Sequence, residues 1–398
     1  MSQPVSRPAQ AAAPALSRNV RIALYVIVAF LFWASLYFYV PTLPTYVAGV
    51  TGNLAAVGTV LSMYGLWQAL LRFPLGLVTD WVGRRKPFIL GGLVMAALGA
   101  WVMASSTTIP GLAVGRGLTG FAAAAWVPMV VIFSALFKPE EAVMASAILT
   151  VASSLGRMTA TGLNGTFNTA GGYGLAFTVA AAVAGAAILL LLPVREDPQP
   201  RKQPSLASLG HLIRRRDVLL PALLSALSQY GAWATSFGFI PILARDLGAT
   251  DITLSLLSTI NLALYTAGNL SVTALAGRFA PRRIVTYTFA LLGVAIAGLV
   301  IAPSVGWLYV MQVLIGAATG IGYPVLMGSS IRFVEGPERA TAMGLHQAVY
   351  AIGMFAGPWF SGILAGALGL RPMFGFTAAF CLILGILGAR YMPDRMGS

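Results

Sequence analysis

Three arginines lie inside long apolar stretches of this sequence: Arg72, Arg116 and Arg157. A guanidinium stays charged at any accessible pH, so an arginine in such surroundings needs an anionic or a carbonyl partner. The 11 acidic residues all fall in polar segments or near the ends of apolar stretches, so none is placed to neutralise these charges. The natural counter-ion is therefore a carboxylate, phosphate or sulfonate group on a bound solute.

Arg157 belongs to a stripe of polar residues. The members recur every three or four positions, which is the spacing that places side chains on one helical face. They are Ser146, Thr150, Ser153, Arg157, Thr161 and Asn164. Such a face suits a path for a polar solute, and we predict that Arg157 contacts that solute. A structural tie from Arg157 to backbone carbonyls is the alternative.

Other polar and aromatic residues extend the candidate path. Arg72 follows Tyr64 and Gln68 at intervals of four, and its place just before a charged loop is as consistent with gating as with solute contact. The candidates in later stretches are Gln229, Tyr230, Trp233, Gln312 and Tyr323. An aromatic run at residues 32–39 is more typical of the belt at a membrane interface than of a binding site.

His346 is the only histidine inside an apolar stretch. Its ordinary pKa allows titration near neutral pH, which makes it a candidate proton site. The alternative is a structural histidine held by hydrogen bonds, and the position of His346 near the end of its stretch favours this interpretation.

Composition indicates which elements position these side chains. The chain of 398 residues is 58% hydrophobic and 9% charged, whereas soluble domains carry about 25% charged residues. Stretches of roughly 20 apolar residues are long enough to cross a bilayer as helices. We predict twelve such spans, at 22–46, 54–79, 87–106, 109–137, 141–166, 173–193, 217–244, 252–276, 284–303, 306–331, 342–366 and 372–389.

The basic residues are distributed unevenly along the chain. Apart from the three arginines above and from Arg245 and Arg371, all of the 25 Lys and Arg residues fall in the two tails or in the even-numbered loops. This asymmetry is the positive-inside signal, so it predicts that both termini are cytoplasmic and that the protein spans a bacterial inner membrane several times. The net charge of +14 therefore indicates orientation in a lipid bilayer and not a nucleic-acid partner.

The sequence divides into two related halves. The segment "GLVTDWVGRRKPF" at 76–88 is echoed by "TALAGRFAPRRIV" at 273–285, and other segments repeat at nearly the same offset. A polar stretch with three prolines separates the halves. The predicted organisation is a cytoplasmic tail at 1–20, a six-helix bundle at 21–193, a linker at 194–216 with a surface helix on the inner leaflet, and a second bundle at 217–398.

One loop and two spans carry recognisable motifs. The loop after the second span fits the pattern G-x-x-x-D-x-x-G-R-R/K through Gly76, Asp80, Gly83, Arg84 and Arg85, which we call the latch cluster. Arg116 and Gly120 fit R-x-x-x-G in the fourth span, and "GMFAGP" at 353–358 fits G-x-x-x-G-P. At these motifs, and in its twelve spans, the sequence resembles the major facilitator superfamily over essentially its whole length.

The resemblance implies an all-α membrane protein whose twelve transmembrane helices form two pseudo-symmetric six-helix bundles. It also implies a secondary transporter in which the latch cluster stabilises the outward-facing state, with a part for Arg116 in coupling. A carboxylate such as Asp80 can accept hydrogen bonds from the first amides of a neighbouring helix, where the helix dipole favours negative charge. Gly83 allows a tight turn in the loop.

The most consistent function is export or exchange of a small organic solute, with a coupling proton or counter-anion. The three arginines predict that this solute is an anion whose acidic group binds to them. A proton-coupled multidrug exporter is the alternative, supported by "GMFAGP" and by the motif at Arg116. An enzyme would need a nucleophile with a base or a cluster of metal ligands, and one Cys and one His within the spans cannot form either. We therefore predict no catalytic residues, no metal and no cofactor.

Overall fold

The structure is a computed structural model that describes residues 16–196, 206–276 and 278–392. Within these residues the regular structure is helical and contains no β-strand. The α-helices are α1 Arg18–Tyr37, α2 Leu43–Thr51, α3 Leu54–Val82, α4 Lys86–Ser105, α5 Ile109–Ala124, α6 Trp126–Ser134, α7 Ala142–Leu191, α8 Leu206–Arg214, α9 Arg216–Ala234, α10 Ile240–Asp246, α11 Asp251–Ala276, α12 Pro281–Val300, α13 Val305–Ile331, α14 Arg339–Leu368 and α15 Leu370–Arg390.

The helices match the predicted spans in order. Nine helical stretches of the described chain are long and apolar enough to cross a membrane, counting α5 with α6 as one and α7 as one. The 50 residues of α7 would extend about 75 Å at 1.5 Å per residue, more than twice the hydrocarbon thickness. Gly171 and Gly172 break α7 with non-helical backbone angles, so it contains two crossings. With α9–α10 and α11, the arrangement is consistent with twelve spans.

The two halves repeat one packing scheme. In the first half, α1 packs on α7, α3 on α5, and α4 on both α5 and α7. In the second half, α9 packs on α14, α11 on α13, and α12 on both α13 and α15. Each contact in the first list has its counterpart in the second, which confirms the predicted pair of pseudo-symmetric bundles.

Local signals in the sequence explain where several helices begin and end. Asn53, Thr108 and Ser304 each accept hydrogen bonds from the first free amides of α3, α5 and α13, which removes unsatisfied donors at those ends. Gly83 ends α3 with φ of 71°, a left-handed conformation that glycine adopts without strain. The short turn it forms leads directly into α4.

The most extensive contacts between the halves are those of α3 with α14 and of the first part of α7 with α11; α2 also contacts α10. Where α3 meets α14 the backbones touch, because a Cβ added to Gly58 would lie 2.8 Å from the Cα of Gly362. A Cβ on Gly65 would lie 2.7 Å from the carbonyl oxygen of Met354. Small residues of this kind permit the closest helix approach inside a membrane.

The predicted tail and linker lie partly outside the described residues, which omit 1–15 and 197–205. In the described part, α1 already begins at Arg18. The surface helix predicted in the linker is α8, but its Leu212 is fully buried together with Val334, Ala342 and Leu345. Because its apolar side chain packs on the second half, α8 is attached to protein where the sequence predicts contact with the inner leaflet.

Candidate functional site

A central cavity lies between the two halves. Its wider part has a volume of about 430 Å³ and its narrower part about 60 Å³. The two parts share Trp33, Arg72, Arg157, Tyr265 and Tyr350, so we treat them as one cavity. Other lining residues from both halves include Tyr37, Tyr64, Gln68, Trp126, Gln229, Trp233, Phe237, Asn261, Tyr323 and Gln347.

The cavity is nearer to one end of the molecule, which we call the basic end because it carries Arg84, Arg85 and Lys86. Lining residues such as Thr150 and Ile331 belong to the parts of α7 and α13 that approach this end. Toward the opposite end the interface is closed by hydrogen bonds between the halves. Thr161 bonds to Thr259 at 2.9 Å, and the amide of Gly165 donates to Ser255 Oγ at 2.6 Å.

Arg157 projects from α7 into the cavity. Its Nε donates to the carbonyl oxygen of Ser153 at 3.2 Å, and its Nη2 donates to Ser153 Oγ at 3.3 Å. The guanidinium carbon lies 4.5 Å from the ring centre of Trp33 and 5.8 Å from that of Tyr37. These contacts orient the side chain through cation–π attraction but use only two of its five N–H donors. The remaining donors are available for an anion.

Arg72 lies at the point where α3 meets α14. Its side chain is buried, and Nη1 donates to Gln347 Oε1 of the other half at 3.2 Å. The guanidinium carbon lies 5.1 Å from the ring centre of Tyr350, and Nε has no hydrogen-bond partner. Arg72 therefore links the halves and still carries an unsatisfied donor beside the cavity.

Arg116 lies one layer behind the cavity wall. It is 1% exposed, and neither Nε nor Nη1 has a hydrogen-bond partner. Its guanidinium carbon lies 4.2 Å from the ring centre of Tyr64. Tyr64 in turn stacks on Trp233 of the other half, with ring centres 5.1 Å apart. Arg116 thus acts on the cavity through Tyr64 and does not line it.

The three arginines have no carboxylate partner among the described residues. In the described residues, Arg72, Arg116 and Arg157 form no salt bridge, and the ion pairs that exist join helix ends and loops. In one of them, the Lys138 amide and the Arg18 side chain hold the pKa of Glu141 below its usual range by hydrogen bonding. The described chain also contains no group of three or more His, Cys, Asp or Glu that could hold a metal ion.

The second half contributes neutral polar groups to the cavity region. Ser236, in the π-helical turn Thr235–Phe239 between α9 and α10, donates to Gln312 Oε1 at 2.6 Å. Asn261 Nδ2 donates to the carbonyl oxygen of Gln312 at 3.1 Å. Gln312 is fully buried behind the wall, as Arg116 is in the first half. Asn261 reaches the lining itself.

Of the other residues predicted to line the path, some line the cavity and one lies outside it. Gln229 lines the cavity and accepts a hydrogen bond from Trp233 Nε1 at 3.2 Å, and Tyr323 lines its wider part. Tyr230 is on another side of α9, where its ring packs against Phe380 at 5.2 Å. The structure therefore brings Gln229, Trp233 and Tyr323 to the cavity and leaves Tyr230 outside it.

His346 is also outside the lining. It is fully buried, and its Nδ1 lies 2.7 Å from Ser330 Oγ. Ser330 donates to the carbonyl oxygen of Val218 at 3.1 Å, so it accepts its other hydrogen bond from Nδ1–H of His346. This arrangement fits a structural histidine that ties α14 to α13 and α9.

Several lining residues were missed by sequence reasoning. The aromatic run at 32–39 is buried in the protein, and its Trp33 and Tyr37 face the cavity, so the assignment of this run to an interface belt is wrong. Tyr265 and Tyr350 gave no signal of their own because single tyrosines occur in many spans. The repeat was the signal available, since it aligns Tyr265 with Gln68.

The latch cluster forms an ion pair at the basic end. Asp80 Oδ1 accepts a hydrogen bond from Arg85 Nη2 at 2.8 Å. The first amides of α4, those of Arg85 and Lys86, donate to the carboxylate of Glu196 at 2.6 and 2.9 Å. In this conformation a carboxylate does bind a helix N-terminus as the sequence analysis anticipated, but that carboxylate belongs to Glu196, while Asp80 is paired with Arg85.

Comparison with known proteins identifies the fold. A family model described as Major Facilitator Superfamily matches residues 25–230 and 222–397. The inner membrane transport protein YajR of Escherichia coli (strain K12) is 42% identical over 86 residues, which are 21% of this chain and 19% of that protein. The chain therefore matches about a fifth of the length of this curated relative.

Solved structures with low sequence identity have the same fold. The nucleoside transporter NupG superposes with a TM-score of 0.74 at 17% identity, over 94% of this chain and 99% of that one. A POT family transporter in complex with a thioalcohol-conjugated peptide gives 0.79 at 12% identity, over 92% and 94%. The protein is thus a multi-pass membrane protein, and the chain belongs to the Major Facilitator Superfamily.

Proposed function

We propose that this transporter carries a small organic anion whose acidic group binds between Arg157 and Arg72 in the central cavity. The observation that supports this most directly is that both guanidiniums border the cavity without a salt bridge to any described carboxylate. Charges at such depth are costly and are retained for function. A bound anion supplies the missing negative charge through short, charge-assisted hydrogen bonds.

The lining also argues against the alternative of a proton-coupled exporter of cationic drugs. A cation in this cavity would need a carboxylate, and a coupling proton would need a titratable group in contact with the path. The residues that line the cavity include neither Asp nor Glu, and His346 lies outside it. Exchange of one anion for another needs no proton, because each anion in turn neutralises the arginines. We therefore favour anion exchange or export.

The basic end supports one orientation of the protein in the membrane. The excess of Lys and Arg at that end supports a cytoplasmic location for it, in a bacterial inner membrane. The proposed units are then the bundles 21–193 and 217–398, joined by the cytoplasmic linker 194–216. In this orientation the cavity faces the cytoplasm, and rocking of the two bundles would expose it to the other side. A label placed in the linker that reacts only from the periplasmic side would contradict this topology.

Replacement of Arg157 by Gln tests the anion site. We expect uptake of organic carboxylates and sulfonates into proteoliposomes to lose about 100-fold or more in apparent affinity, because an unpartnered charge in a desolvated site costs several kcal/mol. Uptake of the matching uncharged amides should change little. Arg157→Lys should recover only part of the loss if the contact is bidentate.

The matched control is Arg371→Gln, which removes an arginine that bonds to the carbonyl oxygens of Val300 and Ala302 outside the cavity. It should transport as the wild type does. The proposal fails if folded Arg157→Gln protein transports every anion with wild-type affinity. The coupling part fails if a pH gradient drives uptake and an internal counter-anion does not.

A further inference from the structure

A second cavity opens from the central one on the side where α3 and α6 face α14. Its volume is about 220 Å³. Arg72 and Trp126 line both cavities, and so does Gln347, which bonds to Arg72. The two spaces therefore meet at the guanidinium of Arg72. We call this second space the side cleft.

The side cleft differs in chemistry from the opposite wall of the central cavity. Its lining is predominantly apolar, with Phe73, Leu77, Val127, Val130, Val131 and Met343 from three helices. The opposite wall, where α7 faces α11, contains Thr150, Ser153, Ser154, Thr266 and Asn269. A polar path and an apolar space thus lie on two sides of the same pair of arginines.

An apolar space next to a cation-lined cavity selects for one kind of molecule. Water gains little along most of the side cleft, because apolar lining residues outnumber the polar ones, which are Arg72, Thr79, Asp80, Thr341 and Gln347. A hydrocarbon group placed there is removed from water and gains free energy in proportion to its length. Building on the anion site proposed above, we infer that the side cleft binds the apolar tail of an amphipathic organic anion whose acidic group is held at Arg72 and Arg157.

The position of the side cleft also limits the length of a transported tail. Asp80 of α3 and Thr341 and Gly344 of α14 line the side cleft, and Gly344 already approaches Phe73, which would lie 3.1 Å from an added Cβ. Rocking of the halves must bring these parts of α3 and α14 together at the basic end. A tail that fills the cleft separates them. Short-tailed anions are therefore substrates, and anions whose tails fill the cleft are inhibitors that are bound but not carried.

A homologous series of n-alkanesulfonates tests this inference in proteoliposomes. Sulfonates remain ionised, so they do not cross the protein-free bilayer as neutral acids do. The apparent affinity of each member is measured by competition against a radiolabelled short sulfonate. Each added methylene should tighten binding about fourfold until the cleft is full. The rate of uptake of the members themselves should fall once the tail reaches that length.

Val131→Trp is the variant that fills the side cleft. Val131 is 41% exposed and lines the cleft, so a larger side chain there occupies the space without disturbing a packed core. The dependence of affinity on tail length should become flat, while the shortest sulfonate keeps its wild-type affinity. Val114→Trp is the control, since Val114 is an exposed valine on α5 that lines neither cavity. It should keep the wild-type dependence.

The outcomes separate this inference from the proposed function. If wild-type protein transports short sulfonates in an Arg157-dependent way but tail length has no effect, the anion site stands and the inference is wrong. The inference is also wrong if the apparent affinity depends on tail length equally in Val131→Trp and Val114→Trp. If no sulfonate or carboxylate competes at all, the proposed function itself fails.

Discussion

The two halves of the protein share a packing scheme but bury different kinds of polar group, charged in the first half and neutral in the second. The first half carries Arg72, Arg116 and Arg157, and two of these have nitrogens without hydrogen-bond partners. The second half carries Gln312 and Asn261, which are uncharged. Gln312 accepts hydrogen bonds from Ser236 and Asn261, and its Nε2 has no partner. Charge is therefore concentrated in one half, and the other supplies neutral polar and aromatic surface.

This difference suggests that the two halves of the repeat serve different purposes, with solute recognition in the first half and helix packing in the second. A buried amide that makes part of its hydrogen bonds lowers stability less than a buried guanidinium without a carboxylate, because the amide carries no charge. An anion would bind mainly to the first half, and the second half would close over it. Each prediction below changes one side of this comparison and leaves the other as a reference.

Among the variants that compare the two halves, the largest effect is expected for Arg116 and Gln312, which occupy equivalent positions in the repeat; it is smaller than the effect of Arg157→Gln. Arg116→Met should weaken anion binding about thirtyfold, because a charge that one side chain separates from the anion contributes about 2 kcal/mol at an effective dielectric constant of 20. It should also raise the free energy of unfolding by about 1 kcal/mol, since it removes a desolvated charge. Gln312→Met should lower that free energy by about 1–2 kcal/mol and leave charge selectivity intact.

Thermal unfolding in detergent and transport in proteoliposomes measure the two quantities on the same preparations. Equal changes of stability in both variants would remove the contrast between the halves. A loss of selectivity for anions in Gln312→Met would place part of the recognition in the second half.

A smaller effect is expected for the aromatic residues that flank the cavity. Trp33→Leu should raise the KM for an anion about tenfold, because it removes the ring that orients Arg157, a contact worth about 1–2 kcal/mol when desolvated. The KM of an uncharged analogue should change much less. Trp233→Leu, in the second half, should raise both KM values by similar factors. If Trp233→Leu changes the KM for the anion relative to the uncharged analogue more than Trp33→Leu does, charge recognition does not lie mainly in the first half.

The smallest effect is expected at the basic end. Asp80→Asn removes the charge from an ion pair between the partly exposed Asp80 and the buried Arg85. The amide oxygen of Asn can still accept a hydrogen bond from Arg85, so the melting temperature should change little. The maximal transport rate should fall severalfold, because the balance between the two alternating states shifts. Distance measurements between spin labels on α4 and α14 should record that shift. The control is Asp246→Asn, an exposed carboxylate at the opposite end, and an identical effect there would contradict a role for Asp80 in the latch.

Sequence reasoning predicted the fold more completely than the site. Length, hydropathy and the repeat determine the spans, and the loop motif identifies the family, since these features depend on local sequence alone. The side of a helix that faces the cavity depends on packing. Gln229 and Trp233 face it, while Tyr230, one position further along from Gln229, packs on Phe380.

Contacts between distant segments could not be predicted either. Hydropathy cannot distinguish an aromatic run at an interface from one that lines a cavity, which explains the error at Trp33 and Tyr37. The bond from Glu196 to the start of α4 joins residues more than 100 positions apart, and a lone acidic residue in a polar linker gives no sign of such a partner. The roles assigned to the arginines and the latch cluster remain predictions.

The glycine contacts between α3 and α14 have a consequence for the speed of the transport cycle. Gly58 and Gly362 bring one backbone directly against the other, so at this contact no side chain has to adopt a single rotamer when the helices come together or separate. A backbone contact of this kind excludes solvent, and movement of one helix along the other at this point requires no ordering of side chains. We therefore expect this contact to add little to the energy barrier for rocking of the halves, so that the turnover rate depends mainly on the groups that bind the solute.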